Sequence, residues 1–88
     1  PAAPALEPDL AAALDEPASW DRMRWAAIDP ACQASIERSA AGAWERISPW
    51  MSPAVQRFAT APAGDRSYRL VVRDRFGQST ASAALSLV

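Results

Sequence analysis

The side chains that most often carry out chemistry in proteins are scarce in this chain of 88 residues. It contains no histidine and a single cysteine, Cys32. Without histidine, the chain can form neither a Ser-His or Cys-His nucleophile pair nor a histidine ligand for a metal. Cys32 has no nearby cluster of positive charges in the sequence, so it is predicted to be an unreactive thiol, buried or in a loop.

Neighbouring carboxylates are the remaining candidates for acid-base catalysis. They are Glu7 with Asp9, and Asp15 with Glu16. Both pairs lie in segments bounded by prolines, where carboxylates close in sequence are usually solvated rather than catalytic. The sequence therefore predicts a protein that is not an enzyme, with no catalytic residue, no cofactor and no metal site.

The charge balance argues against nucleic acid as a partner. Nine arginines, no lysine and ten acidic residues give a net charge of −1, so no basic field covers the chain. Four arginines lie near the C-terminal end, but Asp65 and Asp74 lie among them. This mixture favours a solvated sheet face with cross-strand charge pairs over a phosphate site. The four arginines are Arg66, Arg69, Arg73 and Arg75.

Membrane insertion and an N-terminal signal are not expected. No apolar run approaches the roughly 20 residues that cross a bilayer. The chain also lacks a charged start followed by an apolar stretch, so no signal peptide is predicted. The sequence therefore predicts a soluble domain, or one cut from a longer chain.

Short runs of alternating apolar and polar residues indicate strands. The clearest pair lies in residues 67–88, where Tyr68, Leu70 and Val72 share one face and residues 74–77 form a turn. Turn residues recur roughly every 8 to 12 positions, a spacing typical of an antiparallel β-sandwich. The predicted strands are residues 4–10, 21–28, 33–38, 44–47, 55–59, 67–73 and 80–88.

Two segments also fit helices, which leaves a second fold open. In residues 20–30, Met23 and Trp25 share a face if the segment is a strand. Residues 33–48 form either a helix or a hairpin, and Gly42 favours the hairpin because glycine readily adopts a positive φ in the turn. The alternative fold is α+β, with helices in residues 9–60 packed on the C-terminal hairpin, in an accessory or regulatory subunit.

The predicted all-β fold is a seven-stranded antiparallel sandwich. Residues 1–8 are expected to be a linker leading into the first edge strand, and residues 9–88 a single domain. The large apolar side chains that face inward along the strands are expected to form the core. These predicted core residues are Met23, Trp25, Ile36, Trp44, Tyr68, Leu70 and Val72.

Four stretches together resemble a fibronectin type III domain of the bacterial and phage kind, across essentially the whole chain. A tryptophan follows an inward apolar residue in "RMRWAAIDP", and a glycine turn leads to a second tryptophan in "IERSAAGAWERI". A strand beginning with tyrosine follows a proline and glycine turn in "APAGDRSYRLVVRDRFG". A short turn, "DRFGQS", precedes the last strand. The resemblance implies an immunoglobulin-like sandwich.

The resemblance also implies a role. Such modules are non-catalytic spacers or protein interaction domains, here in a phage tail-like virion or a secreted surface assembly, so an extracellular or virion location is expected. Trp50 and Met51, in a loop between two prolines, and Phe76, at a turn, are the predicted partner contacts. An alternative is a carbohydrate-binding module of a secreted polysaccharide-degrading enzyme, with Trp44, Trp50 and Phe76 stacking on sugar.

Overall fold

A computed structural model describes residues 1–11 and 15–87 of the chain. These residues form strands and turns and contain no helix, so the all-β prediction is confirmed. The α+β alternative is wrong, because residues 15–60 form strands and the connections between them. Residues 12–14, which the α+β alternative placed in its helical part, and Val88 of the last predicted strand lie outside the described residues.

Eight strands form two antiparallel sheets in the described part of the chain. The first sheet has the order β1-β2-β5, and the second has the order β4-β3-β6 with both β7 and β8 beyond β6. The strands are β1 (Glu7–Pro8), β2 (Asp21–Arg24), β3 (Gln33–Ala40), β4 (Ala43–Arg46), β5 (Arg57–Thr60), β6 (Ser67–Arg73), β7 (Ser79–Ala81) and β8 (Leu85–Ser86).

The core contains side chains from both sheets. Met23 of β2 is fully buried, and Trp25, directly after that strand, is nearly so. Ile36 of β3 contributes from the second sheet, where it lies opposite Leu70 in the pairing of β3 with β6. Directly opposed residues of an antiparallel pair point to the same face, so this register aligns their apolar side chains. The other buried residues of β6 predicted for the core are Tyr68 and Val72.

The N-terminal segment contributes to the same core. Leu6 is buried and Ala3 packs against the buried cluster, within the stretch that was expected to be a linker and the approach to an edge strand. Glu7 and Pro8 then pair with β2. Residues 3–8 are therefore attached to the domain through both apolar packing and backbone pairing.

A two-residue turn joins β3 to β4, as the hairpin interpretation predicted. Ala41 and Gly42 both have positive φ, +51° and +81°. Two such residues in succession form the turn whose twist matches that of the flanking strands. The glycine favoured by this conformation is therefore the signal that correctly distinguished a hairpin from a helix.

The final strand is interrupted, which the alternating sequence did not predict. Between β7 and β8, the Ser82 hydroxyl accepts a hydrogen bond from the Leu70 amide at 2.9 Å, and the Ser82 amide donates to the Leu70 carbonyl at 2.8 Å. A side-chain oxygen thus replaces one backbone acceptor of the ladder. The chain bulges at this point and returns to pair with Tyr68 through Leu85.

Trp44 corrects the predicted core. Its ring is 36% exposed, because Trp44 lies opposite Ser39, whose side chain points to the outer face of the second sheet. Ile36 points inward, and the side chains of a strand alternate between faces, so residues 37 and 39 must point outward. The β3–β4 register, which is set by the two-residue turn, places Trp44 on the outer face with them.

Candidate functional site

Three connections meet at one end of the domain. They join β2 to β3 (residues 25–32), β4 to β5 (residues 47–56) and β6 to β7 (residues 74–78), and we call this region the three-loop end. Between them lies a cleft of about 390 Å³ whose wall includes Cys32, Ser52, Arg73 and Arg75. A concave surface of this size formed by loops is the usual form of a binding site on a rigid scaffold.

The β6–β7 turn displays the most exposed aromatic ring of this end. The Asp74 carboxylate accepts hydrogen bonds from the amides of Phe76 (2.9 Å) and Gln78 (3.0 Å). The Asp74 amide donates to the Gln78 carbonyl at 2.9 Å, and Gly77 provides the positive φ, +84°, that the turn requires. Phe76 is 77% exposed at its tip. The turn is thus internally bonded and holds an aromatic side chain in solvent.

Arg75 accompanies this ring. Its guanidinium carbon lies 5.1 Å from the centre of the Phe76 ring, within the range of a cation–π contact. The Asp74 carboxylate accepts both amide bonds through one oxygen and is half-buried in the turn, whereas Arg75 is exposed, so the cation is the more accessible charge beside the ring. The tip combines an apolar ring and a cation, two side-chain types that recur at the centres of protein interfaces.

The contacts of Cys32 are those of a buried residue that holds a loop in place. The thiol is buried, and the Cys32 amide donates to the Asp29 carbonyl at 2.9 Å. The Asp29 carboxylate in turn accepts a hydrogen bond from the Ala31 amide at 2.8 Å, which fixes the loop before β3. Cys32 packs within the apolar core cluster. It therefore anchors one loop of the cleft to the core.

The structure separates Trp50 from Met51, which the sequence grouped as one contact. Met51 forms two backbone hydrogen bonds with Ala34, at 2.7 and 3.2 Å, and packs against the core. Trp50 points to the outer face of the second sheet and is half-buried. The guanidinium carbons of Arg73 and Arg46 lie 4.0 and 5.5 Å from its ring centre.

Arginine side chains also stack on Trp44. The guanidinium carbon of Arg69 lies 4.5 Å from the centre of the Trp44 ring, and Arg69 forms an ion pair with Glu37 at 2.7 Å. Arg73, which stacks on Trp50, donates to the Gln33 side chain. The outer face of the second sheet is thus a connected layer of arginine and tryptophan side chains, with a guanidinium against each indole ring.

Ser48 holds the chain between β4 and Met51 in place. It is buried, and its hydroxyl accepts a hydrogen bond from the Ile36 amide at 2.8 Å and lies 3.3 Å from the Ser35 hydroxyl. The serine replaces the backbone acceptor that β3 loses where β4 ends. The position of Trp50, two residues later, depends on this contact.

Replacing Ser48 with alanine is expected to lower the free energy of unfolding by about 1 to 3 kcal/mol, since it leaves the buried Ile36 amide without an acceptor. Urea unfolding followed by tryptophan fluorescence measures the change. Ser52→Ala is the matched control, because the Ser52 hydroxyl bonds an exposed loop amide, that of Ala54. Equal losses in both variants would contradict a special role for Ser48.

The opposite end of the domain holds a buried charge cluster that the sequence analysis missed. Asp21 is 2% exposed, and its carboxylate accepts hydrogen bonds from the Arg66 guanidinium (2.6 Å) and the Tyr68 hydroxyl (2.5 Å). Burial raises the pKa of the Asp21 carboxyl, but the hydrogen bonds from Arg66 and Tyr68 and the charge of Arg66 outweigh it, so the net pKa lies below its ordinary value of 3.8. Burial and then the bond to Asp21 raise the pKa of Tyr68 to about 12.

Asp9 corrects a further prediction, because it is buried rather than solvated. It forms an ion pair with Arg57, and this hydrogen bond is the main reason that the pKa of Asp9 lies below its ordinary value. In both clusters the carboxylate oxygens are occupied by protein donors. These acids therefore join distant segments of the chain, and their oxygens are not open to a substrate.

Within residues 1–11 and 15–87, no group of three or more acidic, cysteine or histidine side chains is placed to hold a metal ion. No helix in this part of the chain is long and apolar enough to cross a membrane. No protein-family model, curated protein or solved structure matches the sequence or the fold.

Proposed function

We propose that the chain is a non-catalytic module of the fibronectin type III kind. The strand arrangement supports this assignment. β7 and β8 both pair with β6 on the same side, so they can be counted as two halves of one strand broken at Ser82. On that count the domain has seven strands, three in one sheet and four in the other, with a shared core between them. This count supports the seven-stranded sandwich that we propose from the sequence resemblance.

Its proposed role is that of a spacer and protein interaction domain in a larger extracellular or virion assembly. One observation carries the interaction part of this proposal, namely the exposed Phe76 ring on an internally bonded turn. A side chain on a turn whose backbone is already hydrogen-bonded leaves less backbone entropy to be lost when a partner covers it. Protein partners or neighbouring domains of the same assembly are therefore the proposed ligands of the three-loop end.

The sugar-binding alternative receives less support from the same side chains. A sugar platform needs several rings with open faces in a row, whereas a guanidinium lies against each of Trp44, Trp50 and Phe76. Phe76 also lies in the β6–β7 turn, whereas Trp44 lies on the outer face of the second sheet.

Replacing Phe76 with serine is expected to weaken partner binding by at least about thirtyfold, because truncation of a central aromatic anchor costs about 2 kcal/mol or more. Peptides selected from a random library against the whole protein provide the probe, since such selections favour preorganised anchor sites. Their affinities for the wild type and for Phe76→Ser are then compared by titration calorimetry.

Leu10→Ser is the matched control. Leu10 is 90% exposed and lies at the opposite end, near Asp21 and Arg66. We expect this variant to bind the selected peptides as the wild type does, and both variants to keep the wild-type stability because neither side chain is packed. Peptides that bind Phe76→Ser as tightly as the wild type would overturn the assignment of the three-loop end.

A further inference from the structure

Among the sheet edges of the described residues, β4 is the one that combines unpaired backbone groups with a charged side chain, Arg46, that forms no ion pair. Other edges are blunted: β1 has two residues, one of them Pro8, and the final strand is broken at Ser82. β5 has its charge engaged, since Arg57 pairs with Asp9. β4 is four residues long, unbroken and exposed throughout. Proteins commonly protect such edges against pairing with another chain.

The hydrogen bonds of β3 with β4 define which backbone groups face outward. The Ile47 amide donates to the Ile36 carbonyl at 2.9 Å, so Ile47 directs its backbone toward β3. In an antiparallel pair the inward and outward orientations alternate along the strand. Ala43 and Glu45 therefore also face β3, whereas the amides and carbonyls of Trp44 and Arg46 point away from the sheet.

The same two residues present their side chains together on the outer face of the sheet. Trp44 is partly exposed beside Arg69, whose charge is balanced by Glu37. Arg46 is exposed, stacks at 5.5 Å on Trp50, and forms no ion pair with a described residue. A strand added to β4 would thus meet an unbalanced positive charge and, two residues earlier in β4, an apolar ring.

A second copy of the chain fits this edge poorly. Two antiparallel β4 strands related by a twofold axis can be centred on residue 44, 45 or 46. Centring on Glu45 places two glutamates directly opposite each other, and centring on Arg46 does the same with two arginines. Directly opposed like charges destabilise a sheet. Centring on Trp44 brings Arg46 against Gly42, which is already in the turn.

We propose that β4 binds an extended, acidic segment of a different protein as an added antiparallel strand. Its backbone bonds to the outward groups of Trp44 and Arg46, a carboxylate lies opposite Arg46, and an apolar side chain lies opposite Trp44. Backbone pairing supplies affinity and the alternating side chains supply specificity in this mode of recognition. The surface is separate from the three-loop end, so the inference goes beyond the interaction function proposed there.

A short peptide built to this pattern tests the proposal. Acetyl-Ser-Glu-Thr-Val-Thr-Ser-amide places glutamate opposite Arg46 and valine opposite Trp44 when it runs antiparallel. It is titrated into the isotope-labelled protein to millimolar concentration while backbone amide resonances are followed by NMR. The largest changes are expected at residues 43–47. The peptide with lysine in place of glutamate is expected to bind about tenfold more weakly.

Two variants separate backbone pairing from charge. Arg46→Pro removes an outward amide but leaves the Ile47 bond to Ile36, so it is expected to keep the wild-type spectrum elsewhere and to abolish binding. Arg46→Glu is expected to bind the acidic peptide at least about tenfold more weakly. Arg75→Glu changes the net charge equally at the three-loop end and is expected to bind like the wild type.

The proposal is overturned if the acidic peptide causes no change at residues 43–47, if both peptides bind equally, or if Arg46→Pro binds like the wild type. These outcomes do not affect the function proposed for Phe76, because that site is tested with different peptides and different variants.

Discussion

Replacing Asp21 with alanine is expected to lower the free energy of unfolding by about 3 kcal/mol, since removal of one member of a buried, hydrogen-bonded charge cluster leaves its partners unsatisfied. Tyr68 is fully buried, and its hydroxyl would lose the Asp21 acceptor at 2.5 Å. Arg66 would lose the carboxylate that its guanidinium contacts through two nitrogen atoms. Urea unfolding at neutral pH measures the loss.

Asp65→Ala is the matched control. Asp65 is an exposed acid in the β5–β6 connection, next to Arg66, and its carboxylate accepts a hydrogen bond from the Ser39 hydroxyl. It is expected to change the stability by less than about 0.5 kcal/mol. The double variant of Asp21→Ala with Tyr68→Phe should lose less than the sum of the single variants, since the phenylalanine ring leaves no unsatisfied hydroxyl. Additive losses would show that the two side chains are not coupled.

The sequence contains a sign of this cluster that the motif analysis did not use. Asp21 has the same parity as Met23 of β2 and as Trp25 directly after it, so the Asp21 carboxylate must face the core as they do. A buried acid requires a donor, and Tyr68 has the inward parity of β6. Alternation thus predicts the Asp21 and Tyr68 sides of the contact, whereas Arg66 precedes β6 with a positive φ, and alternation does not set its direction. Which acid meets which arginine depends on the pairing of strands far apart in sequence, and that needs the fold.

The same alternation explains why most strands could be predicted and why the face occupied by the Trp44 side chain could not. Strand β6 was predicted with the bounds that the structure shows, residues 67–73, because Tyr68, Leu70 and Val72 recur at every second position. Trp44 lies in a strand of four residues with one apolar ring, so alternation within β4 cannot assign its face. Its orientation follows from the Ala41-Gly42 turn, which sets the register with β3.

Residue type alone did not predict which of the candidate contact residues are exposed. Trp50 and Met51 form the largest apolar pair in a proline-bounded loop, yet the loop folds back because Ser48 and Met51 complete the hydrogen bonds of β3. Phe76 stays exposed because its turn is satisfied by Asp74 alone. Exposure in these loops is therefore decided by where the backbone finds hydrogen-bond partners, a property that residue type does not report.

Alkaline pH is expected to unfold the domain through Tyr68. Its pKa is raised from 10.0 to about 12, so its contribution to stability is fully present below pH 10 and is lost as the pH rises through about 12. A shift of this size corresponds to a loss of about 3 kcal/mol. The first cause of the raised pKa is burial, which disfavours the charged tyrosinate, and the second is the hydrogen bond to the Asp21 carboxylate, whose charge also opposes ionisation.

The composition makes this transition easy to assign. The chain has one tyrosine and no lysine, so the tyrosinate absorbance reports Tyr68 alone and no ammonium side chain titrates in the same range. We expect the absorbance change and the loss of urea resistance to occur together. Tyr68→Phe should be slightly less stable than the wild type at neutral pH and nearly independent of pH between 10 and 12. A tyrosine that titrates near its ordinary pKa in the folded protein would show that the Tyr68 hydroxyl is not both buried and bonded to Asp21, because these two conditions raise the pKa.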